Sequence, residues 1–312
     1  MSTINTMGWR DELILLIGKN GVVHKDYPMS KLTTFRIGGP ADLYLEIDTL
    51  VALEKLITFC RANTIPTFLL GRGANILVRD GGVRGVVFSL RNGDFAEIKR
   101  TESSAQILAG SGATMHSVSA FARDHNIAGL EFLDTIPGSL GGGIRMNAGC
   151  FNSCLFEVLV DVTFLDVDGA IKKVAANTVP HSYRSCPFFE NRIILNATLQ
   201  GVAEQSVKID EKISLYRKKR LASQAKGFSA GCVFKNPAGM SAGQLIERAG
   251  LKGYSIGGAQ VSHIHANFLL NVNSATAQDM LLLIEQVKGI VLQKYGVRLE
   301  TEILIIGENK NE

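Results

Sequence analysis

Asp134-Thr-Ile-Pro-Gly-Ser-Leu-Gly-Gly-Gly-Ile-Arg-Met-Asn-Ala-Gly149 is the stretch around which the chain is organised. Its glycines crowd too closely for a helix or strand interior, where each would weaken the element. Pro137 fixes one backbone angle and has no N–H to donate. A loop is therefore expected, able to take φ > 0 and to bring bare backbone N–H groups close to a ligand. Phosphate is the ligand such a loop suits first. A tight crossover inside a packed core is the other reading of the same residues.

A second small-residue loop, Gly71-Arg-Gly-Ala-Asn75, follows the apolar run Thr67-Phe-Leu-Leu70. Neither loop is a familiar nucleotide fingerprint. G-x-x-x-x-G-K-[ST] is absent, which excludes a Walker-type site. Gly71-Arg-Gly-Ala-Asn-Ile76 begins as G-x-G-x-x-G does but ends on Ile76, and Gly141-Gly-Gly-Ile-Arg-Met146 fails at the same place. A Rossmann dinucleotide domain is disfavoured. Two separate loops can instead grip a long bis-phosphate ligand from two sides.

The rest of the 312 residues bounds the possibilities. With 46% apolar and 20% charged residues, the composition is that of an ordinary soluble protein. A net charge of +4 is too weak to argue for nucleic acid and suits small anionic substrates equally well. The N-terminus has no signal-peptide pattern, and no apolar run reaches the ~18 residues that span a bilayer. The cysteines Cys60, Cys150, Cys154, Cys186 and Cys232 are odd in number and contain no C-x-x-C. A disulfide framework or zinc site is not expected, and a reducing cytoplasm is the natural compartment.

Periodicity predicts an α+β protein. A short helix is expected near 8–18, a half-buried strand over Ala41–Ile47, and a helix through Cys60 capped by Asp48 or Thr49. A buried strand follows over Thr67–Leu70, then Ile76–Val78, Gly85–Leu90 and Gln106–Gly110, with a helix from Thr114 to His125. Asp168-Gly169 between two apolar-rich runs predicts a hairpin. Further elements are a strand at 192–199, a charged helix at 207–224, a short helix at 241–249 stopped by Gly250, an amphipathic helix over 276–295 and a strand over 298–306. Three subdomains are expected: 1–88, 89–204 and 205–312.

Set in order, the motifs resemble one family. Thr33-Thr-Phe-Arg-Ile-Gly-Gly39, Gly71-Arg-Gly-Ala-Asn-Ile-Leu-Val78 and Ile136-Pro-Gly-Ser-Leu-Gly-Gly-Gly143 with Met146-Asn-Ala-Gly149 are similar to the FAD-binding segments of the UDP-N-acetylenolpyruvoylglucosamine reductases. Those enzymes have the two-subdomain flavin fold of p-cresol methylhydroxylase and vanillyl-alcohol oxidase, with a C-terminal α+β substrate domain. The resemblance continues through Ser182-Tyr-Arg-Ser185, Ser229-Ala-Gly-Cys-Val-Phe-Lys-Asn-Pro237, Ala249-Gly-Leu-Lys-Gly253, Gly257-Gly-Ala-Gln-Val-Ser262, His265-Ala-Asn-Phe268 and Leu299-Glu-Thr-Glu302. The short segment between Tyr183 and Leu199 resembles the family's second type, which lacks an extra tyrosine-bearing loop.

The resemblance implies a reaction: NADPH reduces bound FAD, and the flavin N5 passes a hydride to the enolpyruvyl ether of UDP-N-acetylglucosamine, giving UDP-N-acetylmuramate for peptidoglycan. It also implies sites. FAD would be held by Gly71, Arg72, Gly73, Ala74, Asn75 and Ile76, and by Pro137, Gly138, Ser139, Gly141, Gly142, Asn147, Ala148 and Gly149. Arg184 takes the family's catalytic arginine position, as a carboxylate clamp; read alone, it is a surface arginine. Cys232 stands where many members carry a proton-donating serine; read alone, it is a small buried hydrophobe. Glu302 is the matching glutamate, implied to position or polarise the reacting end of the substrate and, with Arg184, to stabilise the enolate; Glu300 is the alternative, the two sharing a face if 298–306 is a strand.

Tyr183, Asn236 and Gln260 fall at substrate-side positions, and Arg220 is a substrate candidate for its charge, which would attract the doubly phosphorylated nucleotide. Arg220 closes the basic run Arg217-Lys-Lys-Arg220, otherwise a solvated helix face, and the two amides can equally serve loop backbone. His263-Ile-His265 has metal-like spacing on an expected strand, but no completing ligand is nearby, so no metal is expected. Ile264 and Leu304 depart from the family, which often has lysine and arginine there. The expected partner is a UDP-sugar, without nucleic acid or membrane, and a monomer is favoured. A flavin oxidase of the same fold and a non-catalytic nucleotide-sugar or flavin-binding regulator are the alternatives.

Overall fold

The computed structural model describes residues 8–18, 21–103 and 105–310. Its first unit is a four-stranded sheet in the order Gly21–Pro28, Pro40–Ile47, Val83–Ser89, Thr67–Leu69. The first pair is antiparallel and the other two are parallel. Helix α1 (Trp9–Ile17) buries Leu13 and Ile17. Helix α2 (Leu50–Ala62) makes the crossover that parallel strands require, and Thr49 caps it by accepting from the Ala52 N–H.

Two expectations change here. The strand Pro40–Ile47 is covered on both faces, not one. Leu43, Leu45 and Ile47 pack with α1 and α2, while Ala41 and Tyr44 pack with Leu70, Val78 and Val87. Its polar positions survive burial because they are bonded. Asp42 accepts from Arg84 and the Gly85 N–H, and the Tyr44 hydroxyl joins Ser89 and Glu46. Thr67–Leu69, expected to be buried, is instead the partly exposed sheet edge.

The second unit is a five-stranded antiparallel sheet in the order Ile171–Ala175, Leu159–Leu165, Ile193–Gln200, Gln106–Gly110, Ile98–Arg100. The expected hairpin forms, with Leu165 opposite Ile171 and Gly169 at φ 87°. Helix α3 (Met115–Asp124) is capped by Thr114.

The glycine stretch is not a loop throughout. Leu140–Arg145 is a short helix, α4, and Gly141, Gly142 and Gly143 form its body. Helical glycine costs ~1 kcal/mol relative to alanine. Contact explains why glycine stands there: a Cβ on Gly141 would lie 2.9 Å from Ser111 Cβ, and one on Gly143 2.8 Å from Leu155 Cδ1. The backbone of α4 thus comes closer to the sheet and to helix α5 (Leu155–Val158) than any side chain would permit.

Helix α6 (Ser206–Ser223) straps the following segment to this second unit. Arg217 donates to both carboxylate oxygens of Asp134 at 2.7 Å, Lys212 pairs with Glu131 at 3.1 Å, and Tyr216 stacks on Phe151. Beyond it, α7 (Ala242–Arg248) and α8 (Ala277–Tyr295) pack with a small sheet of Ser255–Ile256, Ala259–Val261 and Leu269–Asn271. Ser241 caps α7, Thr276 and Asp279 form a capping box on α8, and Gly296 ends it in the left-handed region. No helix among the described residues is long and apolar enough to cross a membrane.

The C-terminal strand is shorter than expected. Only Leu304–Ile306 is a strand, and it pairs in parallel with Ile76–Val78 of the first unit. Residues 298–303 meet the segment 233–235 through isolated bonds, with the Glu302 N–H donating to Val233 O and the Lys235 N–H to Glu300 O. His263-Ile-His265 lies in a loop, not a strand; Ser262 Oγ accepts from the N–H groups of Ile264 and His265.

Candidate active site

The two small-residue loops meet. A Cβ on Gly71 would lie 2.9 Å from Ser139 Oγ, so the turn after Thr67–Leu69 touches the start of α4. Gly73 sits at φ 65° with Leu32 O where a Cβ would be, 2.0 Å away, so no other residue fits. Among the described residues, none of the backbone N–H groups of Gly71, Arg72, Gly73, Ala74 and Asn75 donates a hydrogen bond. Arg72 donates to Gly112 O at 3.4 Å, its Nε is buried without a partner, and burial lowers its pKa. An array of free N–H groups beside a desolvated guanidinium is built for an anion.

Arg91 completes this cradle and was not singled out from the sequence. Its Nε and Nη2 donate to Gly71 O at 3.2 and 2.8 Å. The signal was available in the topology: Leu69 is in register with Phe88 in a parallel pair, so Gly71 and Arg91 leave the sheet at the same end.

Arg184, Glu302, Cys232 and Arg220 converge from four segments. Arg184 Nε lies 2.9 Å from Glu302 Oε1, and its Nη2 donates to Gly149 O at 2.7 Å. The guanidinium also covers the Tyr183 ring at 5.0 Å. Arg184 stands at φ 56° in the turn Ser182–Ser185, a conformation an L residue adopts at a cost of ~1–2 kcal/mol. A cleft of about 460 Å³ borders it, lined in part by Asn147, His181 and Tyr183.

Burial raises the Glu302 pKa, against the opposing pull of Arg184. Glu300 is different: it is exposed and pairs with Lys235 at 3.5 Å, and the two glutamates do not share a role as neighbours on one strand. Burial pushes the Cys232 thiol up to about 11; the Glu302 charge adds to the rise, while Arg220 and Arg184 oppose it. Arg220 is itself desolvated, which lowers its pKa, and it faces Cys150, Cys232 and Arg184. A half-buried pair of cations beside a protonated thiol can bind a carboxylate, stabilise charge that grows on it, and deliver a proton.

The remaining sequence-derived residues have intrachain partners. Asn75 Nδ2 donates to Glu302 O, tying the first loop to the C-terminal segment. Asn147 Nδ2 donates to Ser182 O and its Oδ1 accepts from the Phe156 N–H. Asn236 Oδ1 accepts from the Ala242 N–H, and Gln260 Nε2 donates to Ser255 Oγ. Pro137 and Gly138 precede α4, with Gly138 O accepting from the Met115 N–H, and Ala148 O accepts from the Leu155 N–H. Ile264 and Leu304 are exposed.

Comparison with known proteins agrees with this architecture. A family model described as an FAD binding domain matches residues 41–175, and one for the C-terminal domain of UDP-N-acetylenolpyruvoylglucosamine reductase matches 223–306. The chain is 42% identical over 296 residues to the UDP-N-acetylenolpyruvoylglucosamine reductase of Agathobacter rectalis, covering 91% of this chain and 94% of that one. It is 39% identical to that of Desulforamulus reducens, covering 93% and 95%. The crystal structure of the Thermus caldophilus enzyme of the same name superposes with a TM-score of 0.78 at 30% identity, covering 91% of this chain and 98% of that one. The expected fold, an FAD-binding part of the p-cresol methylhydroxylase kind followed by a reductase-specific C-terminal domain, is borne out. The chain belongs to the UDP-N-acetylenolpyruvoylglucosamine reductase family.

Proposed function

We propose that this chain reduces UDP-N-acetylenolpyruvoylglucosamine to UDP-N-acetylmuramate in peptidoglycan precursor synthesis, using bound FAD and NADPH. The observation that carries the residue-level reading is the Arg184–Glu302 pair at 2.9 Å with Cys232 and Arg220 beside it. Residues 1–88 and 89–204 hold FAD, and 205–312 carries the sugar-nucleotide side, with α6 as the strap between them.

The residues present fit FAD. The free N–H groups of 71–75, the unpartnered Arg72 Nε and the Ser139 hydroxyl, which makes no cap bond to α4, offer donors for its diphosphate, while the Leu140 and Gly141 N–H groups are already given to Ala113 O and Ser111 O. Gly138 and Gly142, where a Cβ would meet little of the chain, keep that approach bare, Gly141 lets α4 pack on Ser111, and Ala148 and Gly149 lead toward Arg184. Bound and reduced by NADPH, FAD supplies the hydride that the methylene carbon of the enol ether receives.

The chain's own residues do the rest. Arg184 clamps the substrate carboxylate, where negative charge accumulates as the carbon–carbon double bond is reduced. Glu302 holds the guanidinium in line. Cys232, kept as a thiol at neutral pH, gives its proton to the ether-bearing carbon, and its thiolate is restrained by Arg220 and Arg184 until solvent reprotonates it. Arg220 also attracts the nucleotide diphosphate, Tyr183 covers the carboxylate site, and Asn236 and Gln260 shape the loops on the sugar-nucleotide side.

The test is NADPH consumption by the FAD-loaded protein with and without UDP-N-acetylenolpyruvoylglucosamine, with the product identified by mass spectrometry. One UDP-N-acetylmuramate per NADPH is expected. Oxygen-driven NADPH loss that ignores the sugar nucleotide would favour an oxidase.

A further inference from the structure

We propose that Asn147 is a positioning residue for Arg184 and not a contact to the cofactor. The proposal rests on the reading of Arg184 as the carboxylate clamp and goes beyond it. Asn147 is 5% exposed, and both ends of its amide are committed inside the chain. Nδ2 donates to Ser182 O at 3.1 Å, and Oδ1 accepts from the Phe156 N–H at 3.3 Å.

Ser182 opens the turn that carries Arg184. The turn closes on itself, Ser182 N–H to Ser185 O at 2.9 Å and Ser185 N–H to Ser182 O at 3.2 Å. At φ 56°, Arg184 needs surroundings that over-determine its conformation. Asn147 supplies one restraint, on the carbonyl where the turn begins. Gly149, two residues on, supplies another, accepting from Arg184 Nη2 at 2.7 Å. One short segment therefore fixes both the backbone of the turn and the guanidinium at its tip. That segment directly follows α4, whose start meets the cofactor loop 71–75, so cofactor cradle and carboxylate clamp are set by a single piece of chain.

Stopped-flow kinetics on the FAD-loaded protein separate the roles. Asn147→Ala removes both bonds, and Asn147→Asp removes only the donor to Ser182 O. Both variants are expected to bind FAD within about threefold of the parent by flavin fluorescence titration, and to be reduced by NADPH at an unchanged rate. Reoxidation by UDP-N-acetylenolpyruvoylglucosamine should slow by about 10- to 100-fold, the cost of an ångström-scale misplacement. In an Arg184→Ala background, Asn147→Ala should slow reoxidation no further, because it acts through Arg184.

Weakened FAD binding with normal reoxidation of the loaded fraction would make Asn147 a cofactor ligand and overturn the proposal. So would normal kinetics throughout, equal losses in both half-reactions, or full additivity with Arg184→Ala. Arg184→Ala alone is the control: if it reoxidises at the parent rate, the clamp reading fails, a result separate from any of the Asn147 outcomes.

Discussion

Arg184 Nε lies 2.9 Å from Glu302 Oε1, so a turn from the middle of the chain and a segment near its C-terminus meet as a half-buried ion pair. Asn75 Nδ2 donates to the Glu302 main-chain carbonyl at 3.0 Å, which ties that pair to the first glycine loop. Breaking it from either end should leave flavin bound and slow turnover. Arg184→Ala is expected to cut kcat by about 10²–10³-fold, as loss of a single charge-stabilising donor does. Glu302→Gln should lose turnover with an unchanged flavin spectrum. Normal turnover in Glu302→Gln would reject the assignment.

The acid side of the pH profile follows from the same pair. Burial raises the Glu302 pKa, so protonation begins at a higher pH than for an ordinary glutamate. As pH falls through that raised value, the carboxylate loses its charge and its hold on Arg184. Activity should therefore decline on the acid side above the usual glutamate range, and the residual activity of Glu302→Gln should lack that limb. A parent profile flat down to the ordinary glutamate range would contradict this.

With Cys232 as the proposed proton donor, the alkaline side of the profile follows from its thiol. With its thiol pushed up to about 11, it stays protonated through neutral and mildly alkaline pH. Reoxidation by the sugar nucleotide should be level from about pH 7 to 9 with respect to this group, since the ordinary thiol range is near 8.5. Cys232→Ala should slow it by about 10²–10⁴-fold, the worth of a positioned general acid, while Cys232→Ser retains a proton to give. Rapid reoxidation of Cys232→Ala after anaerobic photoreduction would exclude the thiol as donor.

Arg72 tests the cofactor cradle. Its Nε is buried without a partner. Arg72→Met keeps the stem and removes the charge. A hydrogen bond to a charged group contributes about 1.5–3 kcal/mol, so FAD affinity by fluorescence titration should fall by about 10- to 100-fold. Unchanged affinity would remove Arg72 from the site.

Two glycines make opposite stability predictions. A Cβ on Gly112 would lie 1.5 Å from Leu90 O, so Gly112→Ala forces backbone apart and should cost about 3 kcal/mol or more in urea unfolding. Gly289, in the body of α8, has open space where a Cβ would stand. Gly289→Ala should add about 0.5–1 kcal/mol.

Most elements were legible in the sequence because their caps and periods are local. Thr49, Thr114, Ser241, Thr276 and Gly296 mark helix ends where they stand. What was not legible depends on distant contacts. The α4 helix hides behind glycines whose reason is Ser111 and Leu155, residues outside the stretch. The alternation in 41–47 reports polar residues but not the Arg84, Gly85 and Ser89 partners that let them be buried. Residues 298–303 have a strand's composition but no continuous partner to pair with. At the site, motif order brought out Arg184, Cys232 and Glu302. It did not bring out Arg91, nor the commitment of the Asn147 amide to Ser182, because hydrogen-bond geometry leaves no mark on spacing.

The most direct measurement is a single anaerobic turnover in ²H₂O: FAD-loaded protein, reduced with one equivalent of NADPH, is mixed with UDP-N-acetylenolpyruvoylglucosamine, and flavin absorbance and product are followed together. Stoichiometric flavin reoxidation is predicted, with UDP-N-acetylmuramate carrying solvent deuterium at the ether-bearing carbon, from the acid, and at the methyl carbon, from the solvent-exchanged N5 position. A protein that takes up no FAD, or a reduced flavin that the sugar nucleotide leaves unoxidised, would contradict it.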